Sequence, residues 1–304
     1  MRVAAADIGT NSTRLIVADV EHGAVGEVVR LLEITRLGQG VDAACELEAA
    51  AMARVLECLA RYAEVARTHG AERLLAVATS AVRDASNRDA LLTAIAATGF
   101  TPRVLSGEQE AEATFAGVLS GDTPAAGTLV IDVGGGSTEL VLGGADGTVA
   151  WSCSLQMGCV RMTERFLGEQ RADPAAVADC VAEVRRQLEV VPATVVGRIT
   201  RAIGVAGTAT TAAAIELGLA AYDPEQIHGA RLTREAIARI GERLGSLSLS
   251  ERTSVPGLEP KRAPVIVAGL IVLGTVLDAL GLELLTVSER DILHGAALLA
   301  AGAI

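Results

Sequence analysis

The segment Asp7-Ile8-Gly9-Thr10-Asn11-Ser12-Thr13-Arg14-Leu15 recurs 125 residues later as Asp132-Val133-Gly134-Gly135-Gly136-Ser137-Thr138-Glu139-Leu140. Asp, Gly, Ser, Thr and Leu match at that constant offset. In each copy an apolar run enters the aspartate, small residues turn, and a second apolar run leaves, which is the pattern of strand, tight turn, strand. A unit kept twice at fixed spacing constrains the chain to two similar halves. They divide near Asp122-Thr123-Pro124-Ala125-Ala126-Gly127, which has the composition of a linker.

Hydrophobic periodicity fills both halves in the same order. The first half reads as strands over 2–8, 13–20 and 25–37 and a helix over 46–69 that stops at Gly70. Strand 73–79, helix 86–98, strand 102–105 and helix 107–119 follow. Ser86 and Asp89 have capping-box spacing before the second helix, and Gly99 lies just past its end. The second half reads as strands 127–133, 138–144 and 147–155, helices to about 191, strand 199–206 and helix 208–218. Helices 233–245 and 263–281, strand 284–288 and a last helix 290–301 complete it. The expectation is an α/β protein of two lobes with an interdomain cleft at the strand ends. The lobes are 1–124 and 125–304, with the helix 290–301 able to pack back on the first.

Composition narrows the function. Half of the 304 residues are hydrophobic and 21% are charged, enough apolar material for two cores. Mean hydropathy is +0.41. The uncharged stretch Val265–Leu277 is nevertheless shorter than the ~20 residues of a spanning helix, and it is read as a buried core helix. The start has no signal-peptide layout, so a cytoplasmic protein without membrane association is expected. A net charge of −11 argues against nucleic acid as a partner. The five cysteines form no CxxC pair, which argues against a zinc site or a disulfide framework. Lys261 is the only lysine and lies outside any G-x-x-x-x-G-K-[ST] loop, which excludes a P-loop nucleotidase.

The repeated turn carries its own chemistry. Gly9, Thr10, Asn11 and Ser12, like Gly134, Gly135, Gly136 and Ser137, expose backbone N–H groups and hydroxyls that suit a phosphate. Asp7 and Asp132 sit beside them, and a carboxylate tolerates a phosphate neighbour when a divalent cation lies between; magnesium fits. A glycine-rich hairpin with a capping aspartate is the plainer alternative, and duplication with the aspartate in both copies argues against it. Glu139 replaces Arg14 in the second copy, which places the metal nearer the second turn.

These two segments, with Gly204-Val205-Ala206-Gly207-Thr208-Ala209-Thr210-Thr211, resemble the phosphate and nucleotide-side motifs of the actin/sugar-kinase/Hsp70 superfamily. Within it the chain is most similar to the exopolyphosphatase/guanosine pentaphosphate phosphatase (Ppx/GppA) family. The resemblance extends through Ala78–Asn87, Ser106–Ala111, Ser154–Glu164 and Pro256–Ala263. It implies two actin-like (ribonuclease H-like) βββαβαβα lobes, magnesium dependence and hydrolysis of terminal phosphate from polyphosphate.

By the same resemblance Glu110 is the general base, Arg83 clamps phosphate, and Asp132 and Glu139, with Asp7, are the metal-side acids. Gly207 and Thr208 open a helix that offers another anion site. Gln109 departs from the family's paired acids and leaves Glu110 alone there; a helix-end acid and a surface arginine are the plainer roles for Glu110 and Arg83. The implied function is a magnesium-dependent exopolyphosphatase. Because the chain ends at Ile304 without the extra helical domains of larger members, a preference for short chains is expected. A homodimer is usual for the family. A guanosine pentaphosphate phosphohydrolase, a kinase and a non-enzymatic actin-like nucleotide-binding module are the alternatives. Few aromatics, 2% of the chain, favour polyphosphate over a guanosine substrate.

Overall fold

The computed structural model describes residues 1–121, 125–144 and 146–304. Of the linker read over 122–127, Asp122, Thr123 and Pro124 lie outside the described residues. The chain forms two compact units, Met1–Thr123 with Arg290–Ile304, and Pro124–Glu289.

In the first unit β1 (Arg2–Ile8), β2 (Thr13–Glu21), β3 (Ala24–Glu33), β4 (Arg73–Ala78) and β5 (Thr101–Val104) form one sheet in the order β3-β2-β1-β4-β5. β1 runs antiparallel to β2 and parallel to β4, so it is central and buried on both faces. Its alternation divides the core. Ala4, Ala6 and Ile8 meet the Ala49–Thr68 and Arg88–Ala97 helices on one face. Val3 and Ala5 meet the Gly107–Leu119 and Ile292–Ala301 helices on the other. The last two helices touch backbone to backbone: a Cβ on Gly117 would strike the Asp291 carbonyl, and one on Gly295 the Ala113 carbonyl.

Two local expectations need correction. β3 stops at Glu33 rather than 37, because the chain beyond it leaves the sheet to brace the turn after β1. The second helix starts at Arg88 with Asn87 at its N-cap, and no side chain caps it. The Ser86–Asp89 box does not form there. Asn87 instead clips a distant backbone, accepting from Leu47 N–H and donating to Leu47 C=O, both at 2.9 Å.

The second unit repeats the plan. β6 (Thr128–Val133), β7 (Thr138–Gly143), β8 (Val149–Leu155), β9 (Arg201–Val205), β10 (Arg231–Thr233) and β11 (Leu284–Val287) are ordered β10-β11-β9-β6-β7-β8. Setting aside β10, this is the order of the first sheet, with β6 in the place of β1. β10 is a three-residue edge strand, too short to announce itself by periodicity. The apolar Ile266–Ala279 helix is buried in this core, as read from sequence. Among the described residues no helix is long and apolar enough to cross a membrane, and all five cysteines are unbridged.

Candidate active site

The two turns close identically. Gly9 N–H donates to Ser12 C=O at 2.9 Å, and Gly134 N–H to Ser137 C=O at 3.0 Å. A Cβ on Gly9 or on Gly134 would stand 3.2 Å from that same carbonyl, closer than a side chain comfortably allows. Each turn is braced from the chain that follows the third strand of its half. In the first, Gly38 N–H donates to Thr10 C=O (2.8 Å) and Arg36 N–H to Asn11 C=O (2.9 Å). In the second, Cys159 N–H donates to Gly134 C=O (2.8 Å), Val160 N–H to Gly135 C=O (2.8 Å), and Arg161 Nε to Gly136 C=O (2.8 Å). Gly158 must be glycine here, since a Cβ would collide with the Gly135 carbonyl.

The braces aim the turns. All described peptides are trans. In a trans peptide the C=O of one residue and the N–H of the next point opposite ways. Carbonyls 134 to 136 all face the brace, so the N–H groups of Gly135, Gly136 and Ser137 face away from it together. In the first turn the N–H groups of Asn11 and Ser12 do the same. Converging N–H groups of this kind form an anion nest.

The aspartates are placed alike and partnered differently. Asp7 is registered opposite Arg14 across β1 and β2, and Asp132 opposite Glu139 across β6 and β7. Arg14 donates from Nε (3.0 Å) and Nη2 (2.7 Å) to Asp7 Oδ2, and from Nη1 to Asp291 Oδ2. All three side chains are buried. Burial works to lower the Arg14 pKa, but the flanking Asp291 and Asp7 carboxylates outweigh it and hold it above its ordinary value. Burial likewise works to raise Asp291, and Arg14 with Arg30 and His294 brings it down to about 2. Burial pushes Asp7 up despite Arg14, and its Oδ1 makes no hydrogen bond.

In the second unit two buried carboxylates face one another instead, with Glu139 Oε1 accepting from Ser154 Oγ at 2.7 Å. Like charges directly opposite across strands repel, and a hard divalent cation relieves that repulsion. Among the described residues no three His, Cys, Asp or Glu side chains converge on one point. A cation here would therefore complete its shell from water and phosphate, as magnesium does.

Arg83 and Glu110 meet in the first unit. Arg83 lies on the short Ser80–Asp84 helix that follows β4, and Glu110 in the first turn of the Gly107–Leu119 helix. Arg83 Nη1 donates to Glu110 Oε2 and to Leu105 C=O, both at 2.9 Å, and Glu110 is only 7% exposed. Gln109 is engaged at the helix end instead. Its side chain accepts from Ser106 N–H (3.0 Å) while its N–H donates to Ser106 Oγ (3.2 Å), a capping box.

Buried polar atoms with no hydrogen bond are uncommon. Here Asp7 Oδ1, Asn11 Nδ2, Ser80 Oγ, Arg83 Nη2 and Thr114 Oγ1 are in that condition, all of them in the first unit. Gly207 and Thr208 lie elsewhere, at the start of the Ala206–Glu216 helix after β9. A Cβ on Gly207 would collide with the Arg262 guanidinium, and Thr208 Oγ1 donates to Val133 C=O at 3.1 Å, next to the second turn. Sequence reasoning gives no role to the braces, Arg36–Gly38 and Gly158–Arg161, or to Asp291 and Ser80, although Ser80 and Gly158–Arg161 lie in segments that carry the family resemblance. The first brace was hidden by extending β3 through it, and Asp291 meets Arg14 across 277 residues of sequence, where no local pattern reaches.

With this geometry in view, the comparisons are specific. A model of the Ppx/GppA phosphatase family matches residues 16–299. The chain is 41% identical to exopolyphosphatase 2 of Mycobacterium tuberculosis, covering 99% of each chain. It is 30% identical to the guanosine-5'-triphosphate,3'-diphosphate pyrophosphatase of Aeromonas hydrophila, over 96% of this chain and 58% of that one. Among solved structures, an Aquifex aeolicus Ppx/GppA family member matches with a TM-score of 0.83 at 30% identity, covering 100% of this chain and 97% of that one.

Proposed function

The chain belongs to the Ppx/GppA phosphatase family, and we propose that it is a magnesium-dependent exopolyphosphatase that releases terminal orthophosphate from inorganic polyphosphate. The observation that carries this reading is the pair of enclosed donors without a hydrogen bond in the first unit, Asn11 Nδ2 on the Gly9–Ser12 turn and Arg83 Nη2 on the guanidinium that holds Glu110. Donors in excess call for a ligand rich in acceptor oxygens, which a phosphoryl chain is.

Arg83 serves two partners. Nη1 orients the Glu110 carboxylate, and Nη2, which makes no hydrogen bond in the free protein, would turn to a phosphoryl oxygen. Glu110 positions a water for in-line attack and receives its proton as the new P–O bond forms and the bridging P–O bond breaks. In the second unit the Gly134–Ser137 nest binds phosphate. Asp132 and Glu139 would hold magnesium, which when bound neutralises phosphate charge. A guanosine pentaphosphate substrate is the second reading, favoured by the likeness to the Aeromonas hydrophila protein. The scarcity of aromatics, one Trp and two Tyr among them, supports polyphosphate.

The test is phosphate release by the full chain from polyphosphate with magnesium. Glu110→Gln should slow it by roughly 10²–10⁴-fold with an unchanged melting temperature. Equal rates for the two proteins would remove Glu110 as the base.

A further inference from the structure

Ser80 has no part in the reading above, yet its surroundings ask for one. It is the first residue of the Ser80–Asp84 helix, 2% exposed, and its hydroxyl makes no hydrogen bond. It caps nothing, and at the first helical position there is no preceding turn for it to back-bond. An enclosed hydroxyl in that condition carries a desolvation penalty that alanine would avoid.

Its neighbours share the condition. Ser80 and Arg83 stand at i and i+3, on one side of the helix, and Arg83 Nη2 is likewise enclosed and unbonded. β4 lies beside β1 with Ala78 registered on Ile8, and Thr79 N–H donates to Ile8 C=O at 3.4 Å. Ser80 therefore follows β4 where the Gly9–Ser12 turn follows β1. Thr10 and Ala81 press on the same point, since a Cβ on Gly38 would meet both. Asn11, in that turn, is 8% exposed with Nδ2 unbonded. Two donors and a hydroxyl from three chain positions of the first unit are thus enclosed without a hydrogen bond. Because Asn11 Nδ2 and Arg83 Nη2 can only donate, the group that satisfies them brings oxygens, and a hydroxyl among them is called on to donate as well.

We infer that Ser80 Oγ touches the substrate, donating a hydrogen bond to a non-bridging oxygen of the phosphoryl group that Arg83 Nη2 and Asn11 Nδ2 also hold. The inference rests on the reading of this region as a phosphoryl site and adds to it a contact residue. It also explains why a buried serine persists where alanine would suit the free protein better.

The full chain, Ser80→Ala and Ser80→Thr are compared by melting temperature, by kcat and KM for phosphate release from polyphosphate, and by calorimetric binding of inorganic phosphate. Ser80→Ala should melt at or above the wild-type temperature while kcat/KM falls about tenfold and phosphate affinity falls with it. Ser80→Thr, which keeps the hydroxyl, should recover part of the loss. A structural residue would move stability and activity down together, so a Ser80→Ala protein that melts several degrees lower overturns the inference. So does one whose kcat/KM and phosphate affinity both stay within twofold of wild type. If wild type releases no phosphate, the functional reading falls. The Ser80 contact then stands or falls on whether inorganic phosphate binds wild type about tenfold more tightly than Ser80→Ala.

Discussion

The Gly9–Ser12 and Gly134–Ser137 turns share their closing bond, the placement of their aspartate and the origin of their brace after the third strand, but not the residue opposite that aspartate. In the first unit it is Arg14, which joins Asp7 to Asp291. In the second it is Glu139, which leaves two acids facing one another. A single exchange thus divides one repeated piece of backbone into two uses. One turn carries its cation as a side chain. In the proposed reading the other takes its cation, with phosphate, from solution.

Arg14 offers the largest effect. Arg14→Met leaves Asp7 and Asp291 buried without the guanidinium that joins them, and removing one partner of a buried pair costs roughly 3–5 kcal/mol. At about 2–4 °C per kcal/mol for a protein of this size, the melting temperature should fall by about 10 °C. Glu139→Gln, at the equivalent position, should leave the metal-free protein as stable as wild type or more so, because it relieves a like-charge pair. Thermal melts in chelator measure both. A Glu139→Gln protein that loses as much as Arg14→Met would erase the contrast between the halves.

The proposed magnesium dependence sharpens the same contrast at a smaller scale. Asp132→Asn and Glu139→Gln should each raise the magnesium concentration for half-maximal phosphate release by roughly tenfold or more, since even outer ligands to a metal carry that much. Asp7→Asn should leave it close to wild type, because Asp7 Oδ2 is already held by Arg14. Magnesium titrations of activity for the three variants decide this. An Asp7→Asn shift equal to that of Asp132→Asn would mean that both turns engage the metal.

The repeat makes this comparison legible in the sequence itself. An offset of 125 residues aligns Asp7 with Asp132 and Arg14 with Glu139, and the strand registers pair them as that alignment requires. The sheet order follows because each half writes its strands and helices in the same succession. Other features depend on contacts that no local window contains. Arg14 finds Asp291 only when the Ile292–Ala301 helix joins the first unit. Ser80 matters only once burial removes its water. The Ser106–Gln109 box, by contrast, has the right spacing in the sequence and forms as that spacing requires.

Acid titration offers the smallest and most diagnostic effect, because the two carboxylates on Arg14 are shifted in opposite directions. Asp291 sits at about 2 in the folded protein, against an ordinary value near ~3.9 for the unfolded chain. The unfolded chain therefore binds more protons over that interval. The stabilisation from Asp291 is full above about pH 4 and is lost as pH falls through about 2. Asp7 is raised, chiefly by burial, so the folded protein holds its proton longer, and stability falls as pH rises from the ordinary carboxylate range through the raised value. In wild type the two slopes have opposite signs, on either side of about pH 4. Urea midpoints measured from pH 2.5 to 6 should show Asp291→Asn flattened at the acid end. Above about pH 4, Asp7→Asn should lack the fall in stability that the raised Asp7 imposes on wild type. Matching profiles for Asp132→Asn and Asp7→Asn would show that the exchange of Arg14 for Glu139 leaves the two aspartates in equivalent fields, and the division of labour between the turns would go with it.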